Sequence, residues 1–264
     1  MGVAQARLAR FFGDSIAFAV DQDAESRAFF ADTFGVCCYA SVEEAVWEAL
    51  DLLWITVCDD QIGAVSQRVS RYVSEQCIVL HTSGLHSSQC LKAYLPHVSC
   101  ASLHPLMACP LKKVTDCECV EVYKRVMHTV EGDDAAIRVA EALVSRLGAR
   151  AVRISENQKA LYHAGAVFAS NYPVILLQLA VEMLEKCGFS SDEALEGARR
   201  LFAQSANACM TAKPLDALTG PAKRRDVSTI ERHLETLSGV DEWHDVYCTM
   251  LKLAQRLLGW DPKI

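Results

Sequence analysis

Lys159 and His163 stand four residues apart in a stretch of helical spacing, so their side chains leave one helix face. Ser170 and Asn171 return to that side two turns later. A lysine, an imidazole and a carboxamide on one face can move a proton and hold an oxygen, as general acid–base chemistry requires. The competing reading is a solvated Lys159 with His163 hydrogen-bonded between domains.

A second group of residues falls at strand ends. His81-Thr82-Ser83-Gly84 closes the apolar run Cys77-Ile78-Val79-Leu80, and His104-Pro105 closes Val98 to Leu103. Ligands of open α/β sheets bind at the carboxyl ends of parallel strands, so Ser83 and Gly84 are candidates to line such a site and His104 to meet them from the next strand. No G-x-S-x-G elbow surrounds Ser83, which gives no support to a serine nucleophile. His104-Pro105 reads equally as a rigid turn with a buried imidazole. Thr219-Gly220-Pro221 offers a hydroxyl and backbone N–H groups near Arg224, a combination suited to phosphate or carboxylate and equally to a helix start.

These residues need elements to hold them. Short apolar runs alternate with helical patterns as far as residue 154: Ser15–Val20, Leu52–Val57, Cys77–His81, Val98–Leu103 and Ala151–Ile154 read as strands. Helices are expected near 60–72 and 132–147. Strands alternating with helices imply βαβ units and a mostly parallel sheet. No strand signal follows residue 155. Residues 156–187 form a long helical pattern interrupted at Pro173, Ser190-Ser191-Asp192-Glu193 is a capping box, and helices follow near 226–237 and 241–258. The helix from Pro173 to Cys187 is apolar on most sides and needs burial all round, which predicts a homodimer formed through the helical region.

Composition narrows the classes. The chain has 264 residues, 51% hydrophobic and 22% charged, and its net charge of -7 excludes a phosphate-neutralising surface, so no nucleic-acid partner is expected. No continuous apolar run reaches the roughly 20 residues that span a bilayer, so no membrane partner is expected either. Asp14 and Asp21 bracket the first apolar stretch, which gives no secretory segment, and Ala6 stands where a myristoylation signal needs Ser or Thr. A cytoplasmic protein is the expectation. The 12 cysteines lie mostly inside apolar patterns without two matched CxxC-like pairs, which favours reduced, buried thiols over disulfides and implies no metal site.

The amino-terminal residues raise a phase argument. In a dinucleotide-binding unit, G-x-G-x-x-G opens a helix and an acidic residue about 20 positions on bonds the ribose. With Gly2 as the third glycine, Gly13 ends the helix, Ile16 enters the next strand and Asp21 takes the acidic position. The first strand and first two glycines are then absent, and the expectation is that this form binds dinucleotide poorly. The alternative is that Asp21, with Asp23, caps the next helix.

The segments His81–Gly84, Ser102-Leu103-His104-Pro105-Leu106, Tyr162–Tyr172 and Leu218-Thr219-Gly220-Pro221 occur in this order. Together they resemble the Rossmann-like proteins with a C-terminal helical domain of unknown function 2520, relatives of the 6-phosphogluconate and β-hydroxyacid dehydrogenases. The resemblance implies a Rossmann-like α/β domain over 1–154 and an all-helical domain over 155–264. It implies an NAD(P)-dependent oxidoreductase acting on a small hydroxy or keto acid in the interdomain cleft. On that pattern Lys159 handles the substrate hydroxyl proton while His163 and Asn171 fix the oxygen. NAD or NADP lies along Gly2, Asp21, Cys58, Asp59, Ser83 and Gly84, and the substrate meets His104, Thr219, Gly220 and Arg224. Two positions depart from the family's pattern: Cys58 replaces a proline, and Arg225 stands where glycine usually precedes the aspartate. The other function class is a non-catalytic small-molecule binder or regulator with a degenerate nucleotide site.

Overall fold

The computed structural model describes residues 1–108 and 114–260. The chain forms two compact units, Met1–Ser170 and Asn171–Ile264. The division falls inside one long helix, 16 residues beyond the boundary expected at 154.

The first unit is built on a five-stranded sheet: β3 (Leu52–Ile55), β4 (Ile78–His81), β5 (Ser99–Pro105), β6 (Met127–Gly132) and β7 (Arg150–Arg153), in that order. β3, β4 and β5 pair in parallel, β6 runs antiparallel to β5, and β7 parallels β6. A separate parallel pair joins β1 (Ala19–Val20) to β2 (Cys38–Tyr39). The strand expected over Ser15–Val20 keeps only its last two residues, because only Ala19 and Val20 find ladder partners in β2.

Strand alternation sorts the core into two faces. Ile55, Val79 and Cys100 point one way, into a cluster with Ile62, Val69, Leu91 and Leu95. Leu80, Ala101, Leu103 and Val130 point the other way, against Ala136, Ile137, Ala140 and Val144 of α6 (Asp134–Arg146). The first face changes character at the carboxyl ends of the strands. There His81 pairs with Ser102, Ser102 with Glu131 and His104 with Thr129, so a polar patch succeeds the apolar one.

Two further helices close this unit. α1 (Gly2–Phe11) buries Ala4 and Leu8 against Cys119, Val120 and Tyr123 of α5 (Asp116–Lys124), with Leu147 beside them. Arg7 and Arg10 both reach Asp116, and Arg146 reaches Asp14.

α7 (Lys159–Lys186) begins in the first unit and continues into the second. The interruption expected at Pro173 does not occur: Pro173 lies within the continuous helix. In the second unit Val181 packs with Ala194 and Ala198 of α8 (Ser191–Thr211), whose capping box at Ser190 and Glu193 is formed. Short helices α9 (Pro214–Ala217) and α10 (Gly220–Arg224) lead to α11 (Val227–Leu237) and α12 (Asp241–Leu257).

Within one chain the middle of α7 is open: Val174 is 64% and Ile175 55% exposed. Two expectations need correction. The helical stretch Glu156–Lys186 is long and apolar enough, by length and composition, to cross a membrane. Counting only unbroken apolar runs hid this, since one Gln178 barely lowers the mean hydropathy of the window. The cysteines are also less uniformly buried than expected. Cys77, Cys100 and Cys119 are buried, whereas Cys37, Cys58, Cys117, Cys187 and Cys209 are exposed on loops and outer helix faces; Cys109 lies outside the described residues.

Candidate functional site

The loop after β4 organises the polar patch. Ser83 sits at the strand's carboxyl end, where its hydroxyl donates to Asp59 Oδ2 at 2.8 Å and accepts from the Leu85 and His86 amides at 3.1 and 2.9 Å. The Ser83 amide donates to His81 Nδ1 at 3.1 Å. That ring nitrogen is therefore the acceptor, and His81 carries its proton on Nε2, 3.3 Å from the Ser87 carbonyl. Burial, then the nearby Lys159 cation, pushes the His81 pKa down to about 3, so the imidazole is neutral. Farther along, the Ser88 amide and hydroxyl both donate to the buried Glu131 carboxylate at 2.8 Å. The loop is thus held from β3, β4 and β6 at once.

Lys159 enters beneath this loop from the start of α7. Its Nζ donates to the Ser83 carbonyl at 2.8 Å and to Ser102 Oγ, and the residue is only 2% exposed. Burial lowers its pKa to about 8, with Glu131 and Asp59 partly offsetting the loss of hydration. The sequence-derived lysine is therefore an internal group of the sheet end, covered by the loop.

One turn on, Tyr162 and His163 are half-buried. Tyr162 Oη lies 2.6 Å from His104 Nδ1, the two rings edge to face. The His104 pKa is pushed down to about 4, first by burial, then by Lys159 and His163. Burial raises the Tyr162 pKa. Gly84 explains how these rings fit. A Cβ there would stand 2.7 Å from His163 Cδ2 and 3.0 Å from His104 Nε2, so only glycine leaves the rings room. Ser83, Gly84, His104, Lys159 and His163 are accordingly brought together at the carboxyl ends of β4 and β5. Tyr162 joins them, although nothing beyond its place in the motif singled it out.

A second candidate region lies at the β3 end. Gly2 opens α1, and a Cβ on it would stand 2.8 Å from Thr56 Oγ1, just past β3. The amides of Gly2 and Val3 precede the first intrahelical bonds, and Met1 supplies no side-chain cap. Asp21 is exposed just beyond β1, and its Oδ1 accepts from the Asp23 amide at 2.9 Å. Asp23, not Asp21, caps α2 (Ala24–Phe34) by accepting from the Ser26 amide. Cys58 and Asp59 are exposed at the turn after β3, with Asp59 engaged by Ser83.

The other candidates belong to the second unit. Asn171 is exposed on α7, and Thr219 is the N-cap residue of α10. The Arg224 guanidinium is exposed, 3.9 Å from Asp226. Arg225 adopts the left-handed conformation, φ 57° and ψ 39°, a region that favours glycine. Among the described residues no group of His, Cys, Asp and Glu could hold a metal ion.

Residues 126–254 match the family model described as a domain of unknown function, DUF2520. That match starts at the edge of β6 and so takes in part of the sheet. No curated protein matches the chain. Among solved structures, a Thermotoga maritima protein superposes with a TM-score of 0.72 at 21% identity, covering 92% of this chain and 98% of its own. A provisionally assigned NADP oxidoreductase from Bacteroides fragilis gives 0.76 at 20% identity, covering 96% and 93%. Prephenate dehydrogenase from A. aeolicus, solved with hydroxyphenyl propionate and NAD+, gives 0.61 at 13% identity, covering 98% and 94%. The chain has the fold of these structures, a Rossmann-like α/β unit followed by a helical region, and residues 126–254 are similar to the DUF2520 model.

Proposed function

We propose that the protein is an NAD(P)-dependent oxidoreductase acting on a small hydroxy or keto acid. The observation that carries this reading is the convergence of His104, Tyr162 and His163 over Gly84, at the carboxyl ends of parallel strands, with the Lys159 cation directly behind. The descriptions of two similar structures name NADP and NAD+.

A nicotinamide dinucleotide fits the residues at the β3 end. The first amides of α1, which precede its intrahelical bonds, would hold the pyrophosphate, and the Asp21 carboxylate would meet the ribose hydroxyls. When bound, the nicotinamide supplies or accepts a hydride. The protein's own residues supply the rest. Lys159 places positive charge beneath the strand ends, which favours negative charge growing on a substrate oxygen. His163 and Asn171 orient that oxygen.

The experiment is reduction of glyoxylate and pyruvate by NADH and NADPH, followed by loss of reduced-nicotinamide absorbance. His163→Ala and Asn171→Ala should abolish turnover while leaving nucleotide affinity near that of the wild type. Absence of both nucleotide binding and keto-acid turnover would favour the binder reading, to which the inward-bonded Lys159 lends support.

A further inference from the structure

The proposed reaction needs a proton at the moment a carbonyl oxygen becomes a hydroxyl. Lys159 is badly placed to give it, since it is 2% exposed and bonds inward to the Ser83 carbonyl and Ser102 Oγ. Tyr162 lies one turn along the same helix, half-buried, with its hydroxyl 2.6 Å from His104 Nδ1. The neutral His104 ring carries one proton, on either nitrogen. With the proton on Nε2, the phenol must donate to Nδ1, and its hydrogen is spent. With the proton on Nδ1, the ring donates to the phenol oxygen and the phenol keeps its hydrogen to give; the Thr129 side chain is a second neighbour of the hydroxyl and favours the phenolate.

Resting on the oxidoreductase reading, we propose that Tyr162 is the proton donor of the reduction and that His104, as its Nδ1–H tautomer, is the positioning residue that holds the resulting phenolate. As the carbonyl carbon gains a hydride from the reduced nicotinamide, the carbonyl π pair moves to oxygen. That oxygen takes the Tyr162 proton, and the O–H bond of the phenol breaks. The phenolate keeps the electron pair, accepts the hydrogen bond from His104 Nδ1–H, and regains a proton from solvent after the hydroxy acid leaves. Gly84 serves this arrangement by leaving the space against His104 Nε2 and His163 Cδ2 unfilled.

Two measurements on the full chain test it. Nitrogen-15 spectra of histidine-labelled protein, assigned with a His104→Gln variant, report the tautomer directly; the Nδ1–H form is expected at neutral pH, and an Nε2–H form overturns the proposal. Tyr162→Phe keeps the ring and removes the proton. With NADH and glyoxylate, kcat should fall about 100-fold or more while the NADH dissociation constant is unchanged. Turnover undiminished by Tyr162→Phe overturns the proposal and leaves the oxidoreductase reading standing. A wild-type protein that binds NADH and reduces neither glyoxylate nor pyruvate overturns both.

Discussion

Lys159→Met separates the cost of the buried ammonium from everything else in the sheet end. Burial moves the Lys159 pKa from 10.5 to about 8. Between those two values the unfolded chain holds a proton at this position and the native protein does not. The unfolded state therefore binds more protons, and stability rises with pH across that window. The full gain corresponds to about 3 kcal/mol, at about 1.4 kcal/mol per pH unit. Below the native pKa the charged lysine sits buried, and its cost is fully present. Other groups titrate in the same window. Burial raises the thiol pKa of Cys77 and Cys90 to about 11 and of Cys100 to about 12, and these give the opposite slope. Cys77 and Cys100 are common to both proteins and cancel in the difference, whereas the Cys90 thiol feels the Lys159 charge and cancels only in part. Methionine fills most of the volume, and Ser102 Oγ still donates to the Ser83 carbonyl at 3.0 Å. Urea unfolding at both ends of the window should show the variant's advantage shrinking by about 3 kcal/mol as pH rises. Parallel pH profiles for the two proteins would refute the assignment of Lys159 as a strained internal cation.

Arg225→Gly relieves a left-handed residue and should raise the urea midpoint, by about 1 kcal/mol of stability; a lower midpoint would show that the Arg225 side chain matters more than its backbone. The exposed Val174 and Ile175 face of α7 predicts a homodimer through the helical region. Light scattering that finds a monomer at micromolar concentration removes that case. The Asp21 carboxylate should favour a ribose hydroxyl over a 2′-phosphate, giving tighter NADH than NADPH binding, and Asp21→Ser should narrow the gap. Equal affinities in the wild type would strip Asp21 of this role.

The parallel strands β3, β4 and β5 were legible because they are buried on both faces and read as unbroken apolar runs. The Lys159–His163 helix face and the Ser83-Gly84 turn were legible from spacing alone. What escaped depended on distant partners. β6 carries His128, Thr129 and Glu131 among its residues, and that polar content conceals a strand whose antiparallel pairing is made with β5. Tyr162 became a candidate only once His104, 58 positions away, was found against its hydroxyl. Pro173 reads locally as a break, yet α7 runs through it. The need of α7 for cover around Val174 was legible, but not what supplies it. Apolarity on every side states that a helix needs cover without saying which surface supplies it.

The docking of α1 has a consequence in time. Its apolar face rests on Cys119, Val120, Tyr123 and Leu147, and its arginines bind Asp116, 106 and 109 residues away. Arg146 then anchors the following turn at Asp14, across 132 residues. None of those partners exists when α1 leaves the ribosome. At roughly 5–20 residues per second, the helix waits on the order of ten seconds before it can bury Ala4 and Leu8. The first element made is therefore among the last to dock. A nascent chain arrested before Asp116 should leave α1 open to protease, while β3 and β4 already have their strand partners.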